Sequence, residues 1–379
     1  MSSINDFTFP IGYLNFHKDK TMNFQLNRWH SFGFADYDDL IKVAKRISNF
    51  DDWTTELVKL AEFAEKENRL FNAAFYYRAA EFYIQPNLPE KHVLYAKFKT
   101  IMKDIVAENG IEMIDVPYKS GYLPCYRKRV EEMEAKGTIL IHGGFDSFIE
   151  EFYTVLSYFN SKAYEVVIFE GPGQGDARRK HELAFDYKWE QPVKAVLDFF
   201  ELDDVTLLGV SLGGYLCFRA AAFEPRVKRV IASSIAYDYT DFPPKILQPI
   251  VDLFYNRFTN YTNKATLKEM KKGGVKGWYF SNLMYMQKAQ KPIDAIQYLT
   301  KMTADELHCD KIAQDVLILT GRDDHAAPFK MHKKQVDALI NAKSVTDKVF
   351  YKDSHASHHC QIGNMKLNLD TMINWIESV

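Results

Sequence analysis

Up to about residue 110 the apolar positions recur every three or four residues: Ile41, Ala44 and Ile47, then Leu57, Leu60, Ala61 and Ala64, then Phe71, Ala74, Phe75, Ala79 and Phe82. This spacing puts each set on one face of a helix and predicts three amphipathic helices with hardly any strand. The prolines of Gln85-Pro86-Asn87-Leu88-Pro89 deny a helix its backbone donors and are expected to end the third. A fourth helix, over roughly Glu90 to Glu108, stops at the C-cap pair Asn109-Gly110. The aromatic residues dense in this region are expected to pack the helices on each other and on the next domain, and secondarily to share in a pocket wall.

After Gly110 the period changes. Ile111 to Val116 and Tyr122 to Tyr126 alternate as strands do, with Lys119-Ser120-Gly121 as the turn between them. Short apolar runs then occur at Thr138 to Ile141, Val166 to Phe169, Val205 to Gly209, Val227 to Ala232, Val316 to Thr320 and Val349 to Lys352, separated by helical patterns. Such runs suit strands buried on both faces, so the expected architecture is α/β, a doubly wound, mostly parallel sheet. From about 237 to 310 no such run occurs, and the helical patterns there are rich in Tyr, Phe and Met, as in Gly277-Trp278-Tyr279-Phe280. The reading is a helical N-terminal domain over 1–110 and an α/β domain over 111–379, with 237–310 inserted as a helical lid; the plainer alternative is a helical decoration that only adds core.

Composition narrows the function classes. With 47% apolar and 26% charged residues the chain is an ordinary globular one rather than a disordered one. A net charge of -2 supplies no overall field for nucleic acid or an anionic membrane, which leaves only local patches to attract either. Cys125, Cys217, Cys309 and Cys360 lie far apart with no C-x-x-C pair, which argues for free thiols in a reducing compartment and against a disulfide scaffold or zinc knuckle. The opening Met1 to Pro10 lacks a basic segment followed by an apolar run, and no stretch reaches the ~18 apolar residues of a membrane span. The expectation is a cytoplasmic protein without cofactor or metal, with no nucleic-acid or membrane partner, acting on a small molecule or short peptide, and with a homodimer left open.

The chemistry concentrates in four places. Gly209-Val210-Ser211-Leu212-Gly213-Gly214 fits G-x-S-x-G between a strand and a helix, a turn so tight that small residues must flank the serine it thrusts out as a nucleophile. The Leu212 N–H then points where a carbonyl oxygen would turn negative, and Gly144 or Phe145, from Ile141-His142-Gly143-Gly144-Phe145-Asp146, is expected to give the second donor of an oxyanion hole. His142 in that run reads as a loop-holding residue rather than a base. A serine hydroxyl attacks only when a histidine takes its proton and an acid fixes the histidine's tautomer. Asp324, in Thr320-Gly321-Arg322-Asp323-Asp324-His325, is the expected acid, with Asp323 as its alternative. The base lies in Asp353-Ser354-His355-Ala356-Ser357-His358-His359-Cys360, where three histidines compete. A metal cluster there has no carboxylate pair or thiol pattern to support it. Glu170-Gly171-Pro172-Gly173-Gln174-Gly175 is a poor phosphate loop, its third glycine out of place, and reads better as a tight turn beside the site.

Taken together, His142-Gly143-Gly144-Phe145-Asp146-Ser147, Glu150-Glu151, Gly171-Pro172-Gly173-Gln174-Gly175, the Gly-Val-Ser-Leu-Gly-Gly elbow and His359-Cys360-Gln361-Ile362-Gly363-Asn364 resemble the α/β-hydrolase family of 2,6-dihydroxypseudooxynicotine hydrolase and the fungal polyketide-shortening pigment hydrolases, whose relatives are often labelled acylaminoacyl-peptidase-like or dipeptidyl-aminopeptidase-like. The resemblance covers roughly Ile111 to Val379. It implies the α/β-hydrolase fold, a serine hydrolase with the triad Ser211, Asp324 and His359, and His359 as base because the family's catalytic histidine precedes Cys-Gln. It also implies that a carbon–carbon bond beside a ketone is among the bonds such enzymes cleave, where an extra acid helps protonate the leaving group. Glu150, Glu151, Asp238 and Asp241 are candidates for that acid, against the simpler reading of helix-start and lid carboxylates. Two alternatives stay open, an acylaminoacyl-peptidase-like peptidase and a non-catalytic binding protein that keeps the fold.

Overall fold

The computed structural model describes residues 8–131, 133–234 and 237–379. Met1 to Phe7, most of the opening segment expected to carry no leader, lie outside them.

Five helices come first: α1 (Lys20–Ser31), α2 (Tyr37–Ala44), α3 (Phe50–Lys66), α4 (Leu70–Glu81) and α5 (Pro89–Glu108). The last four correspond to the predicted set, with two corrections. Ile47 falls beyond the end of α2, and α4 stops at Glu81, before either proline. Pro89 instead opens α5, at a first-turn position where a missing N–H costs nothing. The spacing gave no warning of α1. Its Asn23, Gln25 and Asn27 are buried along with Met22, Phe24, Leu26 and Trp29, so no apolar stripe exists to be read. Those asparagines hold the preceding extended segment: Asn27 Oδ1 accepts from Leu14 N at 2.7 Å and Asn23 Oδ1 from Phe16 N at 2.8 Å.

One eight-stranded sheet comes next, built from β1 (Glu112–Tyr118), β2 (Gly121–Lys128), β3 (Thr138–His142), β4 (Glu165–Phe169), β5 (Val205–Val210), β6 (Val227–Ser233), β7 (Asp315–Gly321) and β8 (Ser344–Phe350). Their order is β1-β2-β4-β3-β5-β6-β7-β8, antiparallel as far as β4 and parallel from β4 onward. The strand placed at Val349 to Lys352 in fact starts at Ser344 and ends at Phe350. As a half-exposed edge strand it mixes polar with apolar positions, so its first five residues form no buried apolar run.

Helices α6 (Tyr153–Ser161), α7 (Gly175–Arg179), α8 (Glu190–Phe200), α9 (Leu212–Ala221), α15 (Lys330–Ala338) and α16 (Met365–Ile376) connect and flank the strands, and α10 (Gln248–Asn256), α11 (Thr259–Lys272), α12 (Gly274–Gln287), α13 (Pro292–Leu299) and α14 (Ala304–Leu307) occupy the interval between β6 and β7. Strand residues alternate between two cores. Ile139, Ile141, Ile168 and Leu317 join α6, α16 and the N-terminal helices, whereas Leu140, Val167, Leu207 and Val316 join α8 and α9. Both faces are therefore covered, and the carboxyl ends of the parallel strands are left to form a site.

Candidate active site

Ser211 sits between β5 and α9 at φ 63° and ψ -122°, a region costly for a residue with a side chain and held only where its surroundings over-determine it. The flanking glycines supply that constraint. A Cβ on Gly209 would stand 2.0 Å from the Gly213 carbonyl oxygen, and one on Gly213 would stand 2.8 Å from that of Gly143. The turn can close this tightly only with both side chains missing, and closing it lifts the Ser211 hydroxyl clear of the sheet.

That hydroxyl lies 2.8 Å from His359 Nε2, while His359 Nδ1 lies 2.9 and 2.8 Å from the two carboxylate oxygens of Asp324. Asp324 follows β7, and its buried side chain also accepts from the backbone N–H groups of Ala326 and Ala327 at 2.8 and 2.9 Å. Burial would raise the Asp324 pKa, but the neighbouring imidazole and these donors outweigh it and hold the carboxyl down at about 2. For His359 the balance is the mirror image: burial acts to lower its pKa, and the Asp324 carboxylate reverses the sign and lifts it well above the ordinary histidine value.

The loop carrying His359 is sharply kinked, with Cys360 at φ 52° and Gln361 at φ 56°. Two residues at the end of β6 hold it. Ser234 Oγ accepts from Cys360 N at 2.8 Å, and Ser233 Oγ donates to Gln361 Oε1 at 2.8 Å. Neither serine was among the expected site residues, because their positioning role depends on a contact across more than a hundred residues of sequence.

The rivals lie elsewhere. His358 stacks on Tyr13 with ring centroids 3.5 Å apart, and together with Asp323 it lines an adjoining groove of about 830 Å³ that shares Phe24 and His325 with the cavity at Ser211. His355 is exposed. His142 is fully buried between Phe169 and Trp189, and burial pushes its pKa down to about 3, so it stays neutral with Nδ1 3.2 Å from the Gly143 carbonyl. The four extra carboxylates also have structural partners: Glu150 accepts from Tyr126 Oη at 2.8 Å and pairs with Lys99, Glu151 binds Arg78 and Arg28, Asp238 caps Thr240, and Asp241 pairs with Lys334. Of these only Glu151 reaches the cavity at Ser211.

The loop after β3 closes on the elbow. A Cβ on Gly144 would lie 2.7 Å from Leu212 N, so glycine is what lets the two backbones meet. The Gly144 N–H donates to Ser147 Oγ at 3.2 Å, and the Phe145 N–H has no acceptor among the described residues. Gln174 Nε2 donates to the carbonyls of both Gly143 and Gly144 at 3.0 Å and so fixes the loop from beneath. The glycine-rich run that contains Gln174 is a packing turn: a Cβ on Gly171 would meet Trp189 at 2.2 Å, and one on Gly173, at φ 87°, would meet Phe185 at 2.5 Å.

Above Ser211 opens a cavity of about 370 Å³ whose walls come from α1, the end of α4, the β3 loop and the 237–310 interval, with Phe24, Phe82, Phe145, Tyr239, Trp278 and Tyr279 giving it an aromatic character. Phe145 stacks on Tyr279 at 5.2 Å and Trp278 on Phe82 at 4.9 Å, so the three regions meet around the space. Its fixed cation is Arg28, held by Glu151 and by the Asp146 carbonyl at 3.4 Å. Among the described residues no group of three His, Cys, Asp or Glu side chains is placed to hold a metal ion, and no helix is long and apolar enough to cross a membrane.

A family model described as alpha/beta hydrolase fold matches residues 139–272, which hold the β3 loop, the glycine turn and the serine elbow. The chain has the α/β-hydrolase fold. Among curated proteins it is similar to Hydrolase LUC6 of a Fusarium species, 25% identical over 80% of its own length and 79% of the relative's. It is 30% identical to 20-hydroxy-prefusarin hydrolase FUS2 of Gibberella moniliformis, over 42% of the chain and 43% of that protein, and 32% identical to Hydrolase acrC of Aspergillus aculeatus, over 45% and 46%. The chain thus spans under half the length of those last two. The crystal structure of 2,6-dihydroxy-pseudo-oxynicotine hydrolase shares its fold with a TM-score of 0.63 at 18% identity, covering 92% of this chain and 94% of that one.

Proposed function

We propose that the protein is a serine hydrolase that cleaves a small, partly apolar ester, amide or ketone through an acyl-enzyme on Ser211, with His359 as general base and Asp324 as the acid that orients it. One observation carries this reading: the unbroken line from the Ser211 hydroxyl through both ring nitrogens of His359 to a buried carboxylate, at the floor of an aromatic cavity.

In this scheme Ser211 Oγ attacks the substrate carbonyl carbon while its proton passes to His359 Nε2. The electron pair pushed onto the carbonyl oxygen is stabilised by the Leu212 N–H together with the N–H of Gly144 or Phe145. When the tetrahedral adduct collapses, the bond to the leaving group breaks and His359 returns the proton to it. Water, deprotonated by the same nitrogen, then hydrolyses the acyl-serine and regenerates the enzyme.

A ketone with a second carbonyl beside the broken bond would leave as an enolate, and Arg28 supplies a fixed positive charge for such an oxygen. The names of its relatives, hydrolases of prefusarin and of pseudo-oxynicotine compounds, support weighing that carbon–carbon cleavage beside ester and amide hydrolysis. A volume near the lower end of small-molecule pockets supports a compact substrate over an extended peptide.

The test is Ser211→Ala. Turnover of a p-nitrophenyl ester should fall by roughly 10⁶-fold, the scale on which serine triads depend on their nucleophile, and labelling by a fluorophosphonate should vanish. Undiminished labelling of the variant would place the nucleophile elsewhere, and failure of the unaltered protein to react with any activated ester would favour a binding protein.

A further inference from the structure

The near-neutral total charge conceals a segregation. Between Lys245 and Lys276 stand seven Lys or Arg against two acidic residues, a net charge of +5 in a chain whose total is -2. The same stretch carries apolar side chains pointing at solvent: Ile246 is 84% exposed, Tyr261 64% and Phe258 49%, with Ile250, Leu253 and Phe254 also open. Helix α10 buries none of its residues. Phe254 contacts both Phe258 and Tyr261, with ring centroids 5.6 and 5.7 Å apart, so the residues form one surface across α10 and α11 rather than scattered exposures. On α11 the buried positions are Thr262 and Thr266. Lys264, Lys268 and Lys271 project from the other side at helical spacing and have no ion-pair partner among the described residues.

We propose that this face is a docking surface for an anionic lipid bilayer, on which α10 and α11 lie with their aromatic and aliphatic side chains in the headgroup boundary and their lysines on lipid phosphates and carboxylates. Contiguous exposed apolar area marks an interaction site, and a basic rim around it selects an anionic partner. Charge decides between occupants. A second copy of this chain, docked about a twofold axis, would bring two surfaces of net +5 together, whereas an anionic membrane neutralises them. The position adds a function. Val275 and Trp278, immediately after α11, line the cavity over Ser211, so docking would turn that wall toward the bilayer and let an apolar substrate pass from lipid to the site. The docking itself does not depend on Ser211 chemistry.

Co-sedimentation of the full chain with vesicles tests this, using the Ser211→Ala variant in parallel so that lipid binding is scored apart from hydrolysis. Binding to vesicles of phosphatidylcholine mixed with phosphatidylserine, much weaker binding to phosphatidylcholine alone, and release by raised salt are expected. Lys264→Gln, Lys268→Gln and Lys271→Gln combined should weaken binding roughly 100-fold, at about fivefold per lysine. Phe258→Ser with Leu253→Ser should weaken it even at low salt, while both variants keep the parent's melting temperature and its turnover of a water-soluble ester. Equal failure to sediment with either vesicle overturns the proposal. So does a concentration-dependent dimer that the Phe258→Ser and Leu253→Ser pair dissolves, since that would give the face to a second copy.

Discussion

His359 carries opposing influences whose balance is measurable. In its proposed role as general base His359 would work only when unprotonated, so the carboxylate that raises its pKa would also move the onset of activity to higher pH. The acid limb of kcat/KM is accordingly expected to have its midpoint above about 6.5, the ordinary histidine value. Asp324→Asn removes the largest of the influences that raise the pKa, leaving Cys360 to act against burial, which lowers it. Its limb should therefore shift to lower pH while kcat falls by about 10⁴-fold, as expected when the imidazole loses its orienting acid. A pH–rate profile of both proteins checks the pair of effects together. A fall in kcat with an unmoved limb would mean that Asp324 shapes the loop without setting the charge of His359. Stability moves in the other direction: because the folded pKa is the higher one, His359 stabilises the fold below its unfolded pKa, and that contribution disappears as pH rises through the folded value.

At the scale of elements, α4 and α5 are fastened to the β3 loop by charges taken out of water. Arg78, fully buried on α4, donates from Nε to Glu151 Oε1 at 2.8 Å and from Nη2 to Asp146 Oδ1 at 3.2 Å, and it also pairs with Glu81. Buried Lys91 on α5 reaches Glu81 at 2.7 Å. Removing one member strands the others, and Arg78→Met is expected to cost about 3–5 kcal/mol, measurable by urea unfolding. Adding Glu151→Gln should recover part of that loss, whereas additive losses would mean the two do not share one network. This network also marks the limit of what the sequence disclosed. The flanks of Ser211 are local, a buried run before it and a helix after it, and they could be read directly, as could the strand ends that carry Gly144 and Asp324. Glu150 and Glu151 were visible as adjacent acids, but their cations come from α1, α4 and α5, and no local pattern encodes a partner that folding brings from so far along the chain. Helix α1 was missed for a related reason: burial on nearly every side, with asparagines used as clamps, erases the period that would betray a helix.

Across the whole molecule, the N-terminal helices and the sheet have no separate interiors. Trp29, Phe75 and Phe98 belong to the same apolar core as Ile141, Ile168 and Leu317, and that core continues through α6 and α16. The expected boundary at residue 110 is thus a change of secondary structure inside one packed unit, crossed by aromatic contacts, by the Arg78 and Lys99 ion pairs and by the cavity itself. Two units that share apolar core and buried charge cannot melt independently, because opening either leaves the other with exposed aromatics and unpaired ions. Scanning calorimetry is therefore expected to give a single transition spanning both parts, with calorimetric and van't Hoff enthalpies in agreement. The Arg78→Met variant offers the sharper form of the same test. If the parts are one unit, it lowers a single melting temperature; if the helices only decorate an autonomous α/β core, it splits the endotherm and leaves the upper transition, together with ester hydrolysis, where they were.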